Sequence, residues 1–398
     1  MNTSVLMLRP KGRLFTDTYF NSVSVGKWKR HTTVNDLNLT IKFKGKIKIT
    51  WFLHRPHFSG RILAENYLTS KGLKEISVPL EFWGNLEDGM LVFDIEALEE
   101  TQVVDFYYWT NTPPTNKVKL GIVITHFNRQ KYVLPAIARL KEQLLDLPEF
   151  KDRVSLFVVD NSQNLPPIEN VTIIPNENLG GAGGFSRGLL TLKESKDYTH
   201  CLFMDDDASC EVDGIKRTLA LLTYAKDKEL AVGGAMLREE TMYLQYENGA
   251  RFDGLLHPNK AGLDLRQQNS CIVNEFEERI DFCGWWFFAF PLSKVKHLAF
   301  PFFVRGDDIG FGLAHKFNII TLNGISSWQG DFALKHNPLT VYLDNRHQIM
   351  QHFHHGDDEG LKNLLLITAR MFMHNLLTYH YETAEAIIYS IQDVTKGK

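Results

Sequence analysis

The sequence predicts an α/β domain preceded by an all-β sandwich domain and followed by carboxyl-terminal helices. Three observations carry that expectation. Before residue 110 apolar residues fall on alternate positions; after residue 118 continuous apolar runs alternate with stretches of helical spacing; and from about residue 361 to 391 a helical period returns. The expected division is 1–112 for the sandwich, 117–350 for the α/β domain and 351–398 for helices packed on it.

In the first part, Leu37, Leu39, Ile41 and Phe43 alternate, Lys44-Gly45-Lys46 interrupts, and Ile47, Ile49 and Trp51 resume. This predicts a hairpin with one buried face. Similar runs follow at 76–80, 91–95 and 103–109. One short helix candidate, 64–71, is stopped by Gly72. The turn-rich Asn111-Thr112-Pro113-Pro114-Thr115-Asn116 reads as a stiff linker. Beyond it, strands are expected at 120–125, 154–160, 171–175 and 201–204, with helices at 131–147 and 184–195. Such alternation builds a largely parallel sheet, and ligands of such sheets bind beyond the carboxyl ends of the strands. That directs attention to 126–129, Asp160-Asn161, 176–178 and 205–207.

Composition narrows the function. Lys plus Arg is 44 and Asp plus Glu 47, a net charge of −3 that argues against bulk nucleic-acid binding. Hydrophobic residues at 44% and charged residues at 23% exclude a disordered chain. Cys201, Cys210, Cys271 and Cys283 form no CxxC pair, so unpaired buried thiols in a reducing compartment are expected. The apolar patch at 5–8 is closed by Arg9 and Pro10, too short for a signal-peptide core, and no run of about 18 apolar residues occurs. A cytoplasmic protein is expected. The carboxyl-terminal helical period leaves peripheral membrane attachment open, although it lacks a Lys/Arg-rich face.

Three motifs carry chemistry. Asp205-Asp206-Asp207 directly follows the apolar run 201–204. Adjacent carboxylates repel, and a divalent cation such as magnesium or manganese relieves them. In a strand continuation Asp205 and Asp207 face one side and can share one metal. The second motif is the run 178–188, with Gly180, Gly181, Gly183 and Gly184. Glycines allow close backbone approach, and a helix that follows offers its amino terminus to an anion. A dinucleotide fingerprint fails here, because Ser186 stands where its third glycine belongs. The third is Gly284-Trp285-Trp286-Phe287-Phe288, followed by Asp307-Asp308. Adjacent tryptophans on an extended segment point opposite ways, one toward the core and one free to serve as a sugar platform. The acidic pair offers a general base. His347, His352, His354 and His355 with Asp357 and Asp358 make a further candidate metal cluster, although an exposed polar loop explains them more simply.

Taken in order, these motifs resemble the family-2 inverting glycosyltransferases of GT-A fold, a Rossmann-like nucleotide-sugar-binding domain. Within them the similarity is to the bacterial galactofuranosyltransferases, which also carry a β-sandwich first. The run Ile122-Val123-Ile124-Thr125-His126-Phe127-Asn128-Arg129, the Val159-Asp160-Asn161 turn, the glycine run, the acidic triplet, Gly-Trp-Trp, the Asp-Asp pair and the Tyr342-to-Arg346 spacing carry the likeness. The resemblance implies that Thr125, Phe127 and Arg129 line the nucleotide pocket, with Asp160 near uracil and Asn178 and Gly181 shaping the sugar pocket. It implies Asp205 and Asp207 as metal ligands for Mg or Mn, Asp206 on donor ribose or sugar, Trp285 and Trp286 on the acceptor, and Asp308 as base beside Asp307. The family's Trp-His pair, whose His is the third metal ligand, is replaced here by Trp328-Gln329, which makes Gln329 the candidate third ligand. The implied partners are a UDP-sugar donor and a glycan acceptor, polysaccharide or lipid-linked, with a homo-oligomer compatible with the pattern. A rhamnose or galactopyranose donor is the alternative within the family; a non-catalytic glycan-binding scaffold is the alternative outside it. The sandwich is expected either to bind glycan itself or to wall one side of the acceptor groove.

Overall fold

The computed structural model describes residues 5–56, 58–207, 209–332, 336–356 and 358–397. Its first part is a seven-stranded antiparallel sheet of β1 (Leu6–Leu8), β2 (Arg13–Phe15), β3 (Val23–Ser24), β4 (Asn38–Arg55), β5 (Phe58–Pro79), β6 (Met90–Ala97) and β7 (Thr101–Trp109), with the short helix α1 (Val25–His31) before β4. The hairpin expected at Lys44-Gly45-Lys46 is absent, because β4 runs straight through it. Gly45 has φ +123°, and the pairing register with β5 shifts between Phe43 and Gly45. A Cβ at Gly45 would lie 2.4 Å from Thr101 Oγ1. The glycine therefore bulges and bends the strand instead of reversing it. The helix candidate at 64–71 is also strand, inside β5, where pairing with β4 overrides the local pattern.

The other edge of β4 is shared: its first half pairs with β7 and its second half with β6. The bend folds these halves over one core, where Phe93 lies 5.1 Å from Trp51 and 5.2 Å from Phe106 between ring centroids. The expected sandwich is thus not two separate sheets but one continuously hydrogen-bonded sheet bent on itself.

The second part holds β8 (Leu120–His126), α2 (Gln130–Leu140), β9 (Val154–Asp160), β10 (Val171–Pro175), α3 (Gly180–Ser195), β11 (His200–Asp205), β12 (Ser209–Cys210), α4 (Val212–Tyr224), β13 (Leu230–Arg238) and β14 (Gln245–Glu247). The small hairpin β15 (Ala250–Phe252) and β16 (Leu256–Pro258), α5 (Gln268–Asn274), β17 (Phe288–Pro291), α6 (Asp307–His315) and β18 (Asn318–Gln329) follow. Sheet order is β10-β9-β8-β11-β17-β13-β18-β12, with β14 on β13. β8 to β11 are mutually parallel; β17 opposes both β11 and β13, so β13 and its parallel neighbour β18 run with β11. The carboxyl ends of β8, β9, β10, β11 and β18 therefore share one edge. Leu120, Ile122 and Ile124 pack on one face of the sheet with residues of α2 and α4, and Val123, Phe157 and Val159 on the other with residues of α3. Burial on both faces is why these strands read as continuous apolar runs.

Helices α7 (Pro338–His355), α8 (Asp358–Leu377) and α9 (Tyr381–Thr395) close the chain. Pro338 and an Asn337–Thr340 capping box start α7 well before residue 351. A buried polar chain ties the three together: Asn345 donates to Ser390 Oγ at 2.7 Å, and Thr368 to Asn345 Oδ1 at 3.0 Å. All four cysteines are buried free thiols. Among the described residues no helix is long and apolar enough to cross a membrane.

The β-part braces the sheet from behind. Lys27, 2% exposed, donates to Thr321 O at 2.6 Å and pairs with Glu275 at 3.2 Å; Tyr19 donates to Ile325 O. Phe20 stacks on Trp328, the residue before Gln329, at 5.8 Å.

Candidate functional site

The acidic triplet sits where β11 ends, Asp205 lying beside Thr125 of β8 in parallel register. Asp206 is 9% exposed and turns toward β8. Its Oδ2 accepts from Phe127 N at 3.3 Å and lies 3.4 Å from His126 Nδ1; its Oδ1 accepts from Arg129 Nη1 at 3.2 Å. Burial raises its pKa, Arg129 opposes and the Asp207 charge adds. The same Arg129 nitrogen donates to Asp207. Asp206 is thus a buried anchor for the β8 loop, which leaves Asp205 and Asp207 facing the open edge. Gln329 joins them from the end of β18, its Nε2 lying 3.3 Å from Asp205 Oδ2 and 3.1 Å from Asp207 Oδ1. The parallel course of β11, β13 and β18 brings it there, and Ser209 pairs with Trp328 to hold the two segments together. Gln329 Oε1 is buried with no hydrogen-bond partner among the described residues.

The residues expected around a nucleotide divide. Phe127 is 45% exposed and Arg129 half-exposed beyond β8. Asn178 is exposed and accepts from Gly180 N at 3.2 Å. Asp160 is different: it is 1% exposed, and its two oxygens take four donors, Ser162 N and Oγ on one and Asn164 N and Leu165 N on the other. Burial raises its pKa, but these donors together outweigh it and hold it below the usual range. Asp160 shapes the turn after β9 and presents no surface to a base.

The glycine run is itself the start of α3, not a loop before it. Gly184 lies against Thr125 and Gly188 against Val123, where a Cβ would come within 2.3 Å of either side chain. Close packing of α3 on β8 explains these two. Gly180, at φ +70°, is pressed by Phe303 O, which a Cβ would meet at 1.9 Å, and Gly181 faces Asp307 Oδ2 at 3.2 Å from a built Cβ. The α3 amino terminus thus abuts the segment that leads into α6.

That segment is strained: Phe303 and Arg305, neither a glycine, have φ of +71° and +67°, and Gly306 follows at +82°. Left-handed backbone at a non-glycine residue costs about 1–3 kcal/mol and tends to mark functional sites. It delivers Asp307 and Asp308 as the first turn of α6. Burial, with the Asp308 and Asp205 charges adding, holds Asp307 well above the carboxylate range; burial pushes Asp308 up to about 6. Sequence reasoning missed a third carboxyl. Glu247, at the end of β14, is 4% exposed, its Oε1 has no hydrogen-bond partner among the described residues, and burial with the Asp308 charge pushes it up to about 8. A lone glutamate in a short polar strand carries no signal; only folding sets it beside Asp308.

The tryptophans correct the expectation of one platform and one core residue. Trp285 is 4% exposed among Phe185, Phe203 and Phe311, at 4.9–5.7 Å between centroids, and Trp286 is 7% exposed, donating to Gly234 O at 3.2 Å. They do point opposite ways, into the two cores flanking the sheet, but both are interior. The histidine cluster is corrected as well. His347 and His352 are buried on α7, not on an exposed loop. Asp357 lies outside the described residues, as does the side chain of Asp358. Among the described residues no three His, Cys, Asp or Glu side chains converge as a metal cage.

The chain is similar to known glycosyltransferases, and among them to galactofuranosyltransferases: residues 4–111 match the family described as galactofuranosyltransferase 2 N-terminal. Galactofuranosyltransferase GlfT2 of Mycolicibacterium smegmatis is 24% identical over 98% of this chain, and that of Mycobacterium tuberculosis 24% identical over 96%. The chain spans 65% and 64% of the lengths of these relatives. Among solved structures, GalNAc-T7 with UDP, GalNAc and Mn2+ is similar over 56% of this chain and 45% of its own, at 11% identity and a TM-score of 0.41. S. aureus TarS 1-349 is similar over 71% and 92%, at 13% identity and 0.37.

Proposed function

We propose that this chain is an inverting, metal-dependent glycosyltransferase that moves galactofuranose from UDP-galactofuranose to a hydroxyl of a bacterial surface glycan, polysaccharide or lipid-linked. One observation carries the reading: two carboxyl groups of opposite design, Asp205 with Asp207 and Asp307 with Asp308, meet at one sheet edge, close enough for Asp205 to raise Asp307.

The donor set suits a divalent cation. Asp205 and Asp207 converge on the Gln329 amide, whose Nε2 faces both; with that amide turned over, its oxygen would face a cation held between them, and the rest of an oxygen-rich shell is left to phosphate and water. Magnesium or manganese held there would neutralise charge on a departing diphosphate. In this reading Arg129 and the α3 amino terminus attract the diphosphate, and Phe127 lies against the nucleotide. Asp308, with a pKa near neutrality, takes the proton of the incoming hydroxyl as it attacks from the face opposite the diphosphate. Glu247, protonated beside it, is placed to donate a hydrogen bond to the acceptor.

The test is release of nucleoside diphosphate from a donor panel, UDP-galactofuranose, UDP-galactose and a rhamnose donor, with and without a short galactofuranose oligosaccharide. Acceptor-stimulated release from UDP-galactofuranose alone is expected. Release from another donor only would replace the sugar; none from any donor would leave a scaffold.

A further inference from the structure

The histidine-rich stretch that proved to be helix α7 lies directly under the strained entry to α6. Three of its side chains, spaced i, i+3 and i+7 and so on one helix face, grip that entry. Asp344 holds the Arg305 guanidinium through both oxygens, at 3.2 and 2.9 Å. His347 Nδ1 lies 2.7 Å from Arg305 O, and Gln351 Nε2 donates to Gly306 O at 2.8 Å. A ring nitrogen that close to a carbonyl must be the protonated one, so His347 is the Nδ1–H tautomer. Burial lowers its pKa to about 4, so the ring is neutral at working pH.

The reach of both donors depends on missing side chains. A Cβ on Gly306 would stand 3.1 Å from His347 Cβ, and one on Gly310 would stand 2.6 Å from Gln351 Nε2. The other side of the entry is pinned by the Phe303 carbonyl on Gly180. Left-handed backbone at Arg305, φ +67°, does not hold itself; it persists where its surroundings over-determine it, while Gly306 at +82° adopts that conformation freely. Here the two carbonyls leading into Asp307-Asp308 are the atoms held.

We propose that His347 and Gln351 are positioning residues for the general base: their hydrogen bonds to the Arg305 and Gly306 carbonyls lock the left-handed turn that aims Asp307 and Asp308 at the acceptor. This rests on the reading of Asp308 as the base. The prediction is specific to the acceptor step. Donor contacts beyond β8 and at Asp205 and Asp207 lie on other elements, and the α3 amino terminus is pinned by Phe303, ahead of the two carbonyls held, so donor binding changes little while a shifted carboxyl slows proton removal.

The experiment compares His347→Phe, which keeps a ring and loses the donor, with His347→Asn, whose amide nitrogen replaces Nδ1, and Gln351→Leu, beside Asp308→Asn. Each is assayed with UDP-galactofuranose and a short galactofuranose oligosaccharide, and melted. Misplacement of about 1 Å costs up to about 100-fold. His347→Phe and Gln351→Leu are therefore expected to lose about 10- to 100-fold in kcat with donor KM within about twofold, and His347→Asn to recover most of it. Wild-type kcat in both His347→Phe and Gln351→Leu, with Asp308→Asn inactive, overturns this proposal and leaves the base intact. Equal loss in His347→Asn and His347→Phe also overturns it, since packing alone then matters. Full activity of Asp308→Asn overturns the base reading and this proposal with it. If His347→Phe does not fold, Gln351→Leu, at a smaller side chain, decides.

Discussion

Two acidic groups lie along the same sheet edge, and their surroundings treat charge in opposite ways. After β11, Asp206 and Asp207 share one guanidinium, and Asp205 and Asp207 share one amide. At the start of α6, Asp307 and Asp308 are held mostly by backbone and by burial, and a third buried carboxyl, Glu247, feels the Asp308 charge. The first group is knit together by shared donors, which suits Asp205 and Asp207 to gather around a cation. The second is starved of compensation, which lifts its proton affinity toward neutrality and suits it to proton transfer. Identical side chains acquire two chemistries from partners alone.

If that contrast is correct, Asp308→Asn should cut transfer by about two orders of magnitude or more while UDP affinity, measured by titration, stays nearly unchanged. Full transfer in the variant would move the base elsewhere.

The proton affinity of Asp308 gives the next effect. A base must be ionised, and Asp308 is pushed up to about 6. Transfer kcat/KM should therefore fall on the acid side, about fivefold from pH 6 to pH 5 and about tenfold per unit below. An acid limb near 4 would mean that the carboxyl is not held as described.

At the first group the informative change is Gln329→His. An imidazole nitrogen favours manganese over magnesium more than an amide does. Manganese should bind the free variant about tenfold tighter than the natural chain, read by calorimetry without UDP. Unchanged affinity would mean that Gln329 is not at the cation.

The smallest effect is on stability. Glu247 is pushed up to about 8 from an ordinary 4.5, so the folded form keeps its proton longer than the unfolded chain. The stability this contributes is complete below about 4.5 and is lost as pH rises through 8. Glu247→Gln, always neutral, should melt close to wild type at pH 5 and about a few degrees higher at pH 9. Identical pH profiles would show that Glu247 ionises freely.

Much of this molecule is written in local pattern. The apolar runs of β8 to β11 fix a sheet buried on both faces, and Asp205 and Asp207 follow from their place after one such run. Alternation also marks the first part as β, because a half-buried pleat has period two. What it does not fix is where a strand ends. Lys44-Gly45-Lys46 carries the letters of a turn, yet Gly45 only bends β4, since both its edges have partners to pair with. Residues 64–71 likewise follow β4 and not their own spacing.

The site divides in the same way. Strand-end position singled out Asp205, Asp207 and Arg129, because chemistry at a parallel sheet gathers where the strands stop, and the Asp307-Asp308 pair was legible as an acidic motif after Gly-Trp-Trp. Whether a polar residue is spent or available is a tertiary matter. Asp160 is consumed by its own turn, Asp206 by Arg129 and the β8 loop, and Trp285 and Trp286 by the two cores. Gln329 reaches Asp205 from 124 residues away only because β13 and β18 run parallel to β11. Glu247 meets Asp308, and His347 meets Arg305, by packing that no periodicity encodes. Sequence sets which side chains carry charge and where strands begin to gather them; desolvation and partnership, which depend on long-range packing, decide what each charge can do.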